Sequence, residues 1–205
     1  MKQIFEQQLN LLNIPNYDCL IVKYDTDYLN SQNYLNKNIF LNLSKEELLS
    51  NYEHYNSLNN DNYNIYIRDS NFLQSPFITI DDIYINTNIQ RSIDSFVRSF
   101  SLSHIVTPYL YILTSEINNN QNYQIIFKLN PDIPIEFKDS ILKKLIEKFK
   151  ADKRHGHINK FFRAAGFINK KPLDYSYISS KEFKNQLITL KEPISYAKKP
   201  SYPLR

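Results

Sequence analysis

Two glycines serve all 205 residues of this chain, Gly156 and Gly166, and both fall in the stretch RHGHINKFFRAAGFINKKP at 154–172. That scarcity narrows the possible folds more than any other feature of the sequence. The phosphate-cradling loops GxGxxG and GxxxxGK[ST] need glycine where the backbone must approach a phosphate or take a positive φ. A Rossmann dinucleotide site and a P-loop are therefore excluded. Any nucleotide must be held by side chains, by metal ions and by ordinary backbone.

Positive charge gathers in the same place. The chain has 25 basic and 21 acidic side chains, a net charge of +4. Between 150 and 172, seven basic residues (Lys150, Lys153, Arg154, Lys160, Arg163, Lys170, Lys171) stand against one acid, Asp152, so this segment carries +6 and the remainder −2. A local excess of this kind suits phosphate, because neutralising phosphate charge releases counterions. A solvated lysine-rich face is the ordinary alternative, but aromatics and glycines interrupt this run. Arg163 can grip a phosphate with its fork, while Lys170 and Lys171 act as point charges. His155 and His157 can donate to phosphate or bind metal, although a lone HxH is more often neither. Gly156 and Gly166 are read as letting a ligand come close to the backbone.

No apolar run approaches the roughly 18 residues that a membrane span needs, and the start, MKQIFEQQLNLL, lacks the apolar block of a secretory signal. The single Cys19 rules out an internal disulfide framework and a cysteine-built zinc site. The expected setting is cytoplasmic.

Periodicity predicts a helix over 2–12, with Ile4, Phe5, Leu9 and Leu12 on one face, and a strand at CLIVK (19–23). A loop rich in Asn and Tyr follows. Ser44 with Glu47 three residues on is a capping-box signature that opens a helix toward residue 58. YNIYIR (63–68) and FITIDDIY (77–84) read as strands. A helix over 90–100 would bury Ile93, Phe96, Val97 and Phe100. PYLYILT (108–114) and YQIIFKL (123–129) form a hairpin across a polar loop. An amphipathic helix over 135–150 turns Phe137, Ile141, Leu142, Leu145 and Phe149 inward. The fold class is α+β, an antiparallel or mixed sheet with helices on one face, like RNA-recognition folds. One domain spans 1–172, and 173–205 is a partly extended segment that forms no separate domain.

The most unusual pair is Asp81–Asp82 inside FITIDDIY. Adjacent carboxylates in a buried strand repel each other and are costly to desolvate. They either open a turn or sit beside a cation, for which magnesium or manganese is the natural choice with oxygen ligands. Neighbouring strand residues point to opposite faces, so both acids reach one ion only if a bulge or strand end re-aims one of them. Asp152 is the candidate third acid, with Glu116 and Asp69 as weaker rivals.

Four blocks in this order, NIYIR (64–68), ITIDDI (78–83), TSEINNNQNYQIIFKL (114–129) and HINKFFRAAGFINKKP (157–172), resemble the catalytic domain of RepB-type plasmid primases, within the archaeo-eukaryotic primase superfamily. The last block, an R-x-x-G-F-x-N-x-K-P box, is the most specific. The resemblance implies an RNA-recognition-like sheet and a DNA primase that makes short primers on a single-stranded template during plasmid replication. It implies that Asp81, Asp82 and Asp152 hold two divalent ions, Mg2+ or Mn2+. It further implies that His157, Arg163, Asn169 and Lys171 contact nucleotide or template, with His155 as the alternative to His157 for the histidine role and Arg68 as an additional candidate phosphate contact. The chain departs from the pattern at Ala164, where relatives have Leu or a similar apolar residue, and in the length of its EINNN loop. Relatives carry a helical module after the catalytic domain. Nothing after Pro172 is periodic enough for one, which implies a piece of a longer protein or a helical module or helicase supplied in trans. Two other readings compete. A rolling-circle or mobilisation nuclease would use a histidine pair for metal and a tyrosine as nucleophile. A non-catalytic single-strand-binding module would use the sheet, with tyrosines stacking on bases.

Overall fold

The computed structural model describes residues 1–23, 38–89, 92–100, 104–153, 158, 160–170 and 186–191. Helix α1 runs Lys2–Leu12 and buries Phe5, Leu9 and Leu12, three of the four residues its spacing nominates. The first strand, β1 (Asn16–Lys23), begins earlier than CLIVK alone indicates. A strand that the alternation did not reveal, β2 (Ile39–Ser44), lies within what reads as loop. Ser44 and Glu47 close the expected capping box. The helix behind that box breaks at Asn51 into α2 (Lys45–Ser50) and α3 (Tyr52–Asn60).

Strands β3 (Tyr63–Asp69) and β4 (Phe77–Asn86) follow. Helix α4 (Ile93–Arg98) starts at a Ser92 cap; the expected earlier start at Gln90 lies outside the described residues. The hairpin of β5 (Val106–Ile117) and β6 (Asn120–Leu129) turns on two residues, Asn118 and Asn119, with φ of 47° and 63°. That is the left-handed twist a two-residue hairpin needs, so the seemingly long EINNN loop is absorbed into longer strands. A 3-10 turn at Ile135–Phe137 leads into α5 (Lys138–Phe149). This turn rotates Phe137 out of the apolar stripe, and it is 52% exposed rather than inward.

The remaining strands are short: β7 (Phe162–Arg163), β8 (Ile168–Asn169), β9 (Gln186–Leu187) and β10 (Thr189–Lys191). Among the described residues the strands form two four-stranded antiparallel sheets, ordered β2-β1-β3-β7 and β10-β5-β6-β4, plus a β8-β9 pair. The fold is α+β, but one sheet with helices on one face gives way to two sheets. The second is buried on both sides, because the alternation along β5 and β6 sends Leu110, Ile112 and Ile126 to one core and Tyr111, Tyr123, Ile125 and Phe127 to another. The first core also holds α1, α2–α3 and the inner face of the first sheet, and the second holds α4 and α5. Each such buried Leu, Ile or Phe contributes about 1.5–3 kcal/mol of transfer free energy. Of the segment 173–205, β9 and β10 join the body, with Ile188 in the first core.

Candidate active site

The geometric objection to a paired aspartate site is resolved in β4. Ile80 pairs with Ile125 and Ile83 with Tyr123, so Asp81 and Asp82 together face the single residue Gln124. This is a β-bulge. Asp82 takes φ 57°, a left-handed conformation that aspartate tolerates better than most residues. Gln124 Nε2 donates to Asp81 Oδ2 at 2.9 Å, and Asn122 Nδ2 donates to Asp82 Oδ1 at 3.0 Å. Asn122 and Gln124 lie two apart on one face of β6, so the bulge has turned both acids to that face. The isoleucines record the same event: Ile78 and Ile80, then Ile83 and Ile85, all lie in the second core, with the alternation skipping one residue at the acids.

Asp152 arrives from the other direction. Helix α5 ends with Lys150 in the left-handed region (φ 53°), and the Ala151 N–H returns to the Ile146 carbonyl at 3.0 Å. That Schellman-type closure swings the chain toward β4. The Asp152 N–H then reaches the Asp81 carbonyl at 3.3 Å. Beyond it, Lys160 Nζ lies 3.0 Å from Asp81 Oδ2, with side chains only 10% and 16% exposed respectively.

Burial alone would raise the Asp81 pKa. The Lys160 charge, with hydrogen bonds from Gln124, Lys160 and the Asp82 amide, outweighs it, and the carboxyl ends below its ordinary range. Burial, the largest influence, lowers the Lys160 pKa, and the opposing pull of Asp81, Asp82 and Asp152 offsets it only in part. The same three acids, after partial burial, raise the Tyr84 hydroxyl, although this tyrosine is 64% exposed. The three predicted acids therefore share one electrostatic neighbourhood.

The glycine-bearing box lies against this cluster. Gln124 Oε1 accepts from the Arg163 N–H at 2.7 Å, so one buried amide side chain ties the acid strand to the box. Because β7 and β8 are two residues each, ladder bonds cannot satisfy the box backbone, and other amides do so. Gln8 takes the Arg163 carbonyl (2.9 Å) and the Ala165 N–H (2.7 Å), Asn59 takes Ile168, and Asn64 accepts from the Lys170 N–H at 2.9 Å. Arg163 itself is 6% exposed, its guanidinium stacked 4.5 Å from the Tyr66 ring, and its Nη1 has no hydrogen-bond partner among the described residues. Asn169 Nδ2 donates to the Thr114 carbonyl at 2.7 Å, which fastens the box to β5. Gly166 has φ +84°, and a β-carbon there would collide with the Met1 carbonyl. Its glycine is thus accounted for by packing against the start of α1 rather than by a ligand.

Arg68 is engaged by Asp18, with Nε and NH2 at 2.9 and 2.8 Å from Oδ2, and its guanidinium lies between the Phe72 and Phe161 rings. A pocket lined by Arg68, Phe72, Thr79, Lys138, Lys160 and Phe162 opens beside the cluster. His155, His157, Gly156 and Lys171 lie outside the described residues. Sequence reasoning missed Gln124 and Lys160. Gln124 carried a signal, a polar residue in the otherwise apolar run YQIIFKL, whereas Lys160 was one basic residue among seven.

The donor chemistry fits a hard divalent cation: carboxylate oxygens on one face, with one ammonium already paired to Asp81. Among the described residues, however, no three acid, histidine or cysteine side chains stand close enough to hold an ion as they are. Asp152 is adjacent through its backbone, not as a formed third ligand.

No family model matches the sequence, and no curated protein does. Solved structures do. Primase RepB′ aligns over 94% of this chain at 20% identity and TM-score 0.66, and this chain spans 56% of that one's length. The RepB′ catalytic domain in complex with initiator DNA aligns at 20% identity and TM-score 0.67, over 94% of this chain and 84% of that one. The AEP domain of the cyanophage S-2L primase-polymerase aligns at 10% identity and TM-score 0.61, over 95% of this chain and 91% of that one. The two sheets, their helices and the bulged acidic strand are thus set in the fold that these primase catalytic domains have.

Proposed function

We propose that this chain is a template-directed nucleotidyltransferase of the primase type, acting on nucleoside triphosphates along single-stranded DNA. The observation that supports it best is the bulge that sets Asp81 and Asp82 on one face, next to Asp152 and the basic box. Asp81 and Asp82 would hold Mg2+ or Mn2+, with Asp152 completing the set. A bound ion of this kind lowers the pKa of an attacking hydroxyl and offsets charge on the transferring phosphate. Gln124 fixes the direction in which Asp81 presents its oxygens, and Asn122 does the same for Asp82. Arg163, stacked on Tyr66 beside the acid strand and with Nη1 unpartnered among the described residues, would set its charge against a triphosphate. Lys171 and either His155 or His157 would extend that cradle. Asn169 and Arg68, both engaged inside the protein, would act by holding it. A DNA strand as partner is favoured by the RepB′ catalytic domain having been solved with initiator DNA. The role in plasmid replication, and a helical module or helicase in trans, rest on the sequence resemblance.

The test is primer synthesis and primer extension on single-stranded DNA with Mg2+ or Mn2+ and nucleoside triphosphates. Wild type should give template-dependent product, and the double variant Asp81→Ala, Asp82→Ala should lose it. Intact synthesis by the double variant would refute the assignment. Binding to single strands that persists in chelator, without turnover by wild type, would favour a binding module instead. A covalent 5′-phosphate adduct would favour a nuclease.

A further inference from the structure

Lys160 holds a position that the proposed reaction does not require of it. Its ammonium sits 3.0 Å from Asp81 Oδ2 and is acted on by Asp82 and Asp152 as well. The three acids draw a cation to this point, against a burial cost that is larger still. Three carboxylates in one partly buried neighbourhood repel one another, and the Lys160 ammonium is set against them. Lys160 also lines the pocket beside the acids, together with Arg68 and Lys138, so its side chain touches both the acid cluster and a small cavity. We propose that Lys160 is an internal counter-ion that keeps the acid cluster assembled before metal loading and is displaced from Asp81 when a divalent cation binds. This rests on the reading of Asp81 and Asp82 as metal-holding residues. It makes Lys160 a positioning residue whose head competes with the ion for Asp81 Oδ2.

Competition has a signature that a merely structural lysine lacks. Removing the ammonium should tighten metal binding, whereas loss of a structural prop would weaken it. Mn2+ alone, without nucleotide, is titrated into the wild-type chain at pH 8 and followed by calorimetry or by the loss of its free-ion electron spin resonance signal. Lys160→Met and Lys160→Gln should each bind Mn2+ about tenfold more tightly or better, the equivalent of losing one competing ion pair. Lys160→Arg, which keeps the charge, should bind no more tightly than wild type. Lys143→Met, which removes a charge paired with Asp139 on the exposed face of α5, should change affinity less than about twofold. Thermal denaturation gives a second readout. The metal-free Lys160→Met protein should melt lower than wild type, and saturating Mn2+ should raise its melting temperature by more than it raises that of wild type. Equal or weaker Mn2+ binding by both neutral variants would overturn the displacement proposal while leaving the metal reading intact. A wild type that binds no Mn2+ would overturn both.

Discussion

Two buried acids, each met by a cation, lie on the two sheets of this protein and behave in opposite ways. Asp18 sits in the regular ladder of the first sheet, directly opposite Arg68 on one side and Asn42 on the other. Arg68 takes one carboxylate oxygen, the Asn42 amide takes the other at 2.9 Å, and two aromatic rings sandwich the guanidinium. One negative charge meets one positive charge, with both oxygens hydrogen-bonded. Asp81 sits where the ladder of the second sheet is broken, beside Asp82 and near Asp152, with Lys160 as the interior cation they share. Three carboxylates share that neighbourhood. A balanced pair in regular structure holds a fold together, and an unbalanced cluster at a bulge is suited to gathering further cations. Adding charge without a partner costs stability, so such clusters are kept where they serve chemistry.

The comparison can be broken most decisively through activity. Replacing both Asp81 and Asp82 by Ala should lower primer synthesis by at least about a hundredfold, as loss of central electrostatic groups does elsewhere. The corresponding cut at Asp18 should leave any surviving folded protein with its metal affinity unchanged, as measured by Mn2+ titration.

Stability should run the other way. Asp18→Ala removes the carboxylate that Arg68 meets inside the first sheet, and should cost about 3–5 kcal/mol in denaturant unfolding. Asp82→Asn keeps the hydrogen bond to Asn122 available and removes one repelling charge, so metal-free stability should stay level or rise. If Asp82→Asn destabilised the protein as much as Asp18→Ala, the acids at the bulge would be structural and the contrast false.

Gly166→Ala sharpens the account of the box. The left-handed φ and the collision with the Met1 carbonyl predict a loss of about 1–3 kcal/mol or more in unfolding experiments.

A pH-dependent effect concerns Lys138, whose ammonium donates to the Phe72 and Ser75 carbonyls at 2.7 Å each. Burial lowers its pKa to about 8, against the opposing pull of Asp69. Between that value and the ordinary 10.5, the unfolded chain carries a proton that the folded chain has lost, so unfolding free energy should rise with pH across that window. The difference in slope between wild type and Lys138→Met, measured from pH 8 to 10.5, isolates this one group.

Much of this was legible in the residues. The capping box at Ser44, the stripe of α1 and the order of the four sequence blocks led directly to observed elements, because local chemistry decides caps and periodic faces. The bulge was legible as well, in the skipped alternation of Ile78, Ile80, Ile83 and Ile85, although adjacent acids alone argued against a shared face. What sequence did not yield depends on tertiary contact. Arg68 looked like a phosphate ligand until Asp18 was seen opposite it, and nothing local distinguishes Lys160 from its basic neighbours. Gly166 looked like a ligand's approach point, yet the atom that forbids a side chain there belongs to the first residue of the chain.

The central claim is that Asp81, Asp82 and Asp152 gather divalent cations next to the basic box. Crystals soaked with Mn2+ and a nucleoside triphosphate test it most directly, through anomalous scattering. The account predicts manganese in contact with Asp81 and Asp82, on the side of Asp152, with Lys160 moved off Asp81 and phosphate oxygens near Arg163. Nucleotide bound elsewhere, with no manganese at the bulge and the Lys160–Asp81 pair intact, would contradict it.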